Sequence, residues 1–194
     1  MKIILASGSP RRRELMRETG LEFTIFKPDI DESKINNEAP ENLCLRLSKL
    51  KAQAGAKIFP NSLVIAADTI VLINGEILGK PKNHDDAFRM LNALQGNWHE
   101  VLTGLSVCKN EKIISEVERT KVKFRELNEA EILSYISTGE CDDKAGSYAI
   151  QGKGSLLVER IDGDYFNVVG LPVCKLGKIL EEFGIKILVQ QSSL

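Results

Sequence analysis

The chain has 194 residues, 43% of them hydrophobic, a length that suits one domain or two lobes sharing one core. Its 26 Lys and Arg against 27 Asp and Glu give a net charge of −1, which argues against a nucleic-acid partner but leaves a local pocket for small anions open. No run of eighteen apolar residues exists to span a membrane, and Cys44, Cys108, Cys141 and Cys174 lie far apart with no Cys-x-x-Cys pair, so the expectation is a cytoplasmic protein with reduced thiols and no zinc site.

Residues 2–6 form a short apolar run suited to a buried strand. Ser7-Gly8-Ser9 and Pro10 follow, and the pattern through Leu15 and Met16 to Gly20 predicts a helix, with serine before proline at its start and glycine past its end. Alternation over 21–26 predicts a second strand, followed by an acidic loop at 29–32. Leu43, Leu47, Leu50 and Ala54 mark one face of a helix over about 40–57. Residues 62–73 make the most apolar strand, Asn74-Gly75 is a type I′ hairpin signal, and Glu76-Ile77-Leu78 returns from it. A helix is predicted over 83–94, long strands near 99–109 and 112–124 joined at Asn110-Glu111, and a helix opened by Asn128 and closed by Gly139. Residues 147–161 read as strands interrupted by Gly152 and Gly154, and a last helix covers about 172–183, with Gly184 as its stop. Helices alternating with long hairpins predict an α/β fold on a mixed sheet.

Five segments carry candidate chemistry. In Ser7-Gly8-Ser9-Pro10-Arg11-Arg12-Arg13 a strand feeds a small-residue loop that opens a helix with three cations in its first turn. Cations there oppose the helix dipole, so something negative should offset them, and a phosphate suits the free backbone N–H groups and guanidinium forks. The alternative is three solvated arginines, and the Gly-Lys-Ser/Thr ending of a P-loop is missing. Asp29, Asp31 and Glu32 form an acidic group that reads best as a solvated loop, whereas Asp68, after five apolar residues, reads as functional. Carboxylates from two loops make a hard-oxygen site of the kind Mg²⁺ uses with substrate phosphates.

Lys51 alone reads as an ordinary surface charge, while Lys80 in Gly79-Lys80-Pro81 is fixed by proline after the hairpin that begins near Asp68. The segment 142–152 mixes charge, glycine and a lone Gln151, a residue type that reads base edges but also sits in turns. The segment 162–172 joins a strand to a helix through glycines, and packing explains most of it. His84 and His99 sit in no triad or metal-ligand spacing, and Cys44 and Cys174 read as core packing within helices.

Taken together, these segments resemble the Maf family of nucleoside triphosphate pyrophosphatases. The resemblance rests on Leu5-Ala6-Ser7-Gly8-Ser9-Pro10-Arg11-Arg12, Ala67-Asp68-Thr69, Gly79-Lys80-Pro81, Asp143-Lys144-Ala145-Gly146 through Gln151-Gly152, and Asn167-Val168-Val169-Gly170-Leu171-Pro172. It runs from Ile3 to about Gly184 and leaves 185–194 as an unmatched tail.

The resemblance implies a single domain over 1–194 with an inosine-triphosphatase-like α/β fold, two lobes sharing a long curved mixed sheet flanked by helices, and a cleft between the lobes. It implies hydrolysis of a nucleoside triphosphate to the monophosphate and pyrophosphate with a divalent cation, Mg²⁺ or Mn²⁺. Asp68 resembles the family's general base, and Glu32, Lys51 and Lys80 its polar active-site residues, with Glu32 and Asp68 near the metal. Ser7, Arg11, Arg12, Arg13, Thr69 and Gln151 are then substrate-binding, and Arg12, Thr69 and Gln151 match the branch that hydrolyses dTTP and UTP. A homodimer is an expectation of the family alone. A rival expectation is a regulatory protein of septum formation and cell division that binds a nucleotide without turnover.

Overall fold

The computed structural model describes residues 1–33 and 38–188. In chain order the elements are β1 (Ile3–Ala6), α1 (Pro10–Glu18), β2 (Thr24–Phe26), α2 (Pro40–Ile58), β3 (Leu63–Ile73), β4 (Glu76–Leu78) and α3 (His84–Leu94). There follow β5 (Trp98–Lys109), β6 (Lys112–Phe124), α4 (Glu129–Ile136), β7 (Val158–Asp162), α5 (Tyr165–Val169) and α6 (Val173–Glu181).

Among the described residues the strands form a seven-stranded mixed sheet in the order β2-β1-β3-β5-β6-β7, with β4 added to β3. All four residues of β1 are buried, as befits a strand covered on both faces. It runs parallel to β2 and to β3, with Leu5 opposite Ile25 on one side and Ile65 on the other. β3 and β4 are antiparallel, and their turn residues Asn74 and Gly75 have φ of 49° and 80°, the left-handed pair that a type I′ hairpin requires. β6 and β7 are antiparallel too, with Lys121 opposite Asp162.

The chain divides into two compact units. The first comprises Met1–Asp68, Gly104–Glu118 and Gly170–Leu194. In it Ala52 and Ala56 of α2 pack on Ile4, Ala6, Val64 and Ala66 of β1 and β3 and on Cys108 of β5. The helix also comes close to β5, since a Cβ at Gly104 would lie 2.2 Å from the Cys44 carbonyl oxygen. The second unit comprises Thr69–Thr103 and Arg119–Val169. Its core joins Val71, Met90, Leu91, Leu94, Phe124 and Ile132, among others. Its helices are capped by side chains: Asn83 accepts from the Asp86 amide at 2.9 Å, and Asn128, the expected opening residue of α4, makes a reciprocal capping box with Glu131. His99 packs edge-on against Phe124 and Tyr148, and its Nε2 is 2.8 Å from the Tyr148 hydroxyl.

Several expectations are corrected. Of residues 147–161 only 158–161, in β7, are strand: two short 3-10 turns, Ala145–Ser147 and Gly152–Leu156, precede it. Gly146, Ser147 and Gly152 all have φ between 60° and 70°, which no regular strand accommodates. The second strand covers only Thr24–Phe26, and the glycine-flanked stretch after β7 contains α5. Cys174 is exposed rather than in the core, because α6 buries Leu176, Ile179 and Leu180 on its other side.

Candidate active site

β3 enters the site through Asp68. The five residues before it have no exposure and Asp68 only 8%, so a carboxylate at that depth must find a partner. Lys51 supplies one: its Nζ donates to Asp68 Oδ1 at 2.6 Å and makes an ion pair with Glu32 Oε1 at 2.7 Å. The three side chains come from β3, the middle of α2 and the loop after β2. Lys51 reaches the carboxylates because it continues the buried stripe Cys44, Ser48, Lys51, Gly55 along α2. Glu32 is exposed at its outer side, so the cluster is buried at the Asp68 end and open at the Glu32 end.

Beside this cluster stands Arg12. The cap of α1 is long, with Ser9 Oγ 3.5 Å from the Arg12 amide, and no acidic residue lies in the first turn. The Arg12 side chain folds back, its Nε donating to the Gly170 carbonyl at 2.7 Å and its terminal nitrogen to Ser7 Oγ at 3.4 Å. Ser7 is buried and also accepts from the Ser9 amide at 3.2 Å. Burial pulls the Arg12 guanidinium below its ordinary value, opposed by the charges of Asp68 and Glu32. The negative charge required by the arginines of α1 is thus supplied in part by the protein's own carboxylates. Arg11 and Arg13 are half-buried, and Arg13 Nε is a buried donor with no hydrogen-bond partner among the described residues.

The second unit carries Thr69, Lys80 and Gln151. Thr69 Oγ1 is 2.8 Å from Thr103 Oγ1. Lys80 is exposed on the loop after β4, where the Gly79 carbonyl accepts from the Gly146 amide at 3.0 Å. Gln151 is half-exposed and opens the turn Gly152–Leu156. Glu140 holds that turn, its two carboxylate oxygens accepting from the amides of Lys153 at 3.1 Å and Gly154 at 3.2 Å. Gly152 permits this approach, for a Cβ there would lie 2.9 Å from Glu140 Oε1.

Other reactive side chains are ruled quiet by their surroundings. Burial pushes the Cys44 thiol up to about 12, with Asp68 adding to the effect, and the Cys141 thiol up to about 11. Neither is a thiolate at neutral pH. Burial pulls His99 down to about 3, which leaves a neutral core imidazole. Among the described residues no three His, Cys, Asp or Glu side chains cluster as a metal site. Glu32 and Asp68 do share one ammonium, and two hard carboxylates are the donor set of a divalent cation that takes its other ligands from water and substrate phosphates.

Of the residues singled out in the sequence, Ser7, Arg12, Glu32, Lys51 and Asp68 meet within the first unit. Lys51 and Glu32 have no standing by residue type alone, but the stripe through Cys44 and Ser48 is the signal that marks Lys51. The expected face through Leu50 and Ala54 hides it, and Leu50 is in fact exposed. Glu140 and Thr103 carry no sequence signal of function.

Comparison with known proteins bears on the whole arrangement. The Maf-like protein family matches residues 2–183. A dTTP/UTP pyrophosphatase of Caldanaerobacter subterraneus is 53% identical over 190 residues, covering 96% of this chain and 91% of that protein. Proteins of the same description from Acetivibrio thermocellus and Pyrococcus furiosus are each 49% identical, covering 97% and 93% of this chain and 98% and 94% of their own. A solved HAM1 protein from Coxiella burnetii superposes with a TM-score of 0.52 at 18% identity, over 94% of this chain and 99% of that one, a likeness of fold. With the motifs, the mixed sheet and near full-length relatives in agreement, the chain belongs to the Maf-like protein family.

Proposed function

We propose that the chain is a nucleoside triphosphate pyrophosphatase that hydrolyses dTTP and UTP to the monophosphate and pyrophosphate. The relatives' common description at 49–53% identity supports the reaction and its base. The observation that carries the chemistry is the Lys51 ammonium shared by Asp68 and Glu32, with Arg12 beside them.

In this reading Asp68 is the general base. Lys51 bonds Oδ1 and so fixes the carboxylate, which takes a proton from water as its oxygen attacks the α-phosphorus in line and pyrophosphate departs. Arg11, Arg12, Arg13, Lys51 and Lys80 balance the triphosphate charge, and the buried donor at Arg13 Nε is one that an anion would satisfy. A Mg²⁺ or Mn²⁺ ion would be held by Glu32 and Asp68, where it supplies Lewis-acid polarisation of the phosphate. Ser7 orients Arg12, and Thr69 and Gln151 with Arg12 select the base, an assignment supported by the match of their motifs to the dTTP/UTP branch. The partner is the nucleotide, the place the cytoplasm; among the described residues no helix is long and apolar enough to cross a membrane.

The test is product analysis with Mg²⁺ or Mn²⁺ and dTTP, UTP, CTP, GTP and 7-methyl-GTP. Monophosphate and pyrophosphate are expected from dTTP and UTP, whereas diphosphate and orthophosphate would mean attack at the γ-phosphorus and overturn the mechanism. Asp68→Asn is expected to lower kcat by about 10²–10⁴-fold while dTTP still binds. Binding without turnover by the unaltered protein would instead return the chain to the regulatory reading.

A further inference from the structure

Within the first unit α2 lies along β5 in a fixed register. A Cβ at Gly104 would lie 2.2 Å from the Cys44 carbonyl oxygen, so the two backbones touch there. Two strand residues on, Ser106 Oγ is 2.9 Å from Ser48 Oγ, and after two more Cys108 Sγ donates to the Ala52 carbonyl at 3.5 Å. Contacts at 44, 48 and 52 on the helix thus match 104, 106 and 108 on the strand. Four helical residues and two strand residues both rise roughly 6–7 Å, so the two elements keep step over this length.

The middle contact has a fixed direction. Ser48 Oγ also bonds the Leu45 carbonyl at 2.9 Å, and a carbonyl oxygen only accepts. The single proton of Ser48 is therefore committed to Leu45, and Ser106 donates to Ser48. Ser115 of β6, its Oγ 2.8 Å from that of Ser106, must in turn donate to Ser106. Ser48 and Ser106 have no exposure, so water does not compete for their bond. The apolar packing beside it sets Ala52 and Ala56 on Ile4, Ala6, Val64 and Ala66. That contact is small-sided and non-directional, and resists sliding of the helix less.

Lys51 stands one residue before the last of these contacts. Its Nζ lies 2.6 Å from Asp68 and 2.7 Å from Glu32, and Asp68 belongs to β3, the strand beside β5. We infer that Ser106 is a positioning residue: its bond to Ser48 fixes α2 along β5 where the Lys51 ammonium bridges the two carboxylates. Where turnover is concerned, the inference rests on the assignment of Lys51 and Asp68 to the reaction made above. Misplacing a group at a reacting centre by about 1 Å costs up to about 10²-fold in rate.

The experiment uses the full-length wild type, Ser106→Ala, Lys51→Met and the double variant. It measures kcat and KM for dTTP, urea midpoints, and the magnetic-resonance signal of the Lys51 ammonium protons, identified by its loss in Lys51→Met. Ser106→Ala should lower kcat about 3–30-fold with KM changed less, and broaden the ammonium signal as exchange with water quickens. In the Lys51→Met background the same substitution should change kcat by less than about twofold, since the group it positions is gone. A merely structural serine lowers the urea midpoint in both backgrounds without this pattern. Wild-type kcat in Ser106→Ala, an equal drop in both backgrounds, or an ammonium signal that is unchanged or missing from the wild type overturns the inference. Should Ser106→Ala fail to fold, Ser48→Ala removes the same bond from the helix side, where alanine favours the helix, and the same outcomes decide. A wild type that releases no pyrophosphate from dTTP overturns the proposed function instead, and the ammonium signal then decides the inference alone.

Discussion

Lys51 stands between two carboxylates of unequal burial, and this inequality sets what its loss would cost. A fully buried ion pair stripped of one partner loses roughly 3–5 kcal/mol, and an exposed pair under about 1 kcal/mol. Asp68 is buried and Glu32 half-exposed, so Lys51→Met should destabilise the protein by roughly 2–3 kcal/mol, and Lys51→Arg by less because the charge stays. Urea midpoints of the two variants check the order. Turnover of dTTP should fall at least about a hundredfold in Lys51→Met, and wild-type kcat/KM in that variant would separate the lysine from the reaction. The same residue shows where a single sequence runs out. Asp68 stands out because an apolar run stops at it, whereas a lysine in a polar helix resembles many surface lysines until the buried stripe through Cys44, Ser48 and Gly55 is known.

At the level of elements, what sequence periodicity captured was whatever local chemistry decides. Ser9-Pro10 opens α1, Asn128 caps α4, and Asn74-Gly75 turns the hairpin, each as its residues dictate. The stretch 147–156 defeated the same reasoning because the apolar run Tyr148-Ala149-Ile150 lies between positions of positive φ, and a short apolar run alone does not distinguish a strand from successive turns. Glu140 holds the second of these turns from outside it, an arrangement no local pattern announces. Glu140→Ala removes both acceptors from the amides after Gly152, and loosening the turn behind Gln151 should raise KM for dTTP by about 3–10-fold with kcat little changed. Steady-state kinetics will separate the two. A drop in kcat alone would place Glu140 in the chemistry rather than behind the base-reading side chain.

For the whole molecule, the buried imidazole of His99 ties stability to pH. Its folded value of about 3 lies below the ordinary 6.5, so on acidification the unfolded chain takes up a proton that the folded chain refuses. Stability therefore falls as pH drops from 6.5 toward 3 and is insensitive to this group above that window. The slope attributable to His99 is at most about 1.4 kcal/mol per pH unit. Denaturant titrations of the wild type and His99→Gln between these limits should diverge by that slope, and parallel curves would place the acid sensitivity elsewhere.

The division of the chain into two discontinuous units also orders events during synthesis. Every residue of the second unit has been made once Val169 is added, whereas the first unit still lacks the segment beginning at Gly170. The ribosome thus delivers one unit whole while the other waits, although the synthesis of the waiting unit began first. Arg12 is translated 158 positions before the carbonyl that receives its Nε. The guanidinium settles only once Gly170 has been made, so the carboxylate cluster it neighbours takes its finished form after every residue of the second unit has been synthesised.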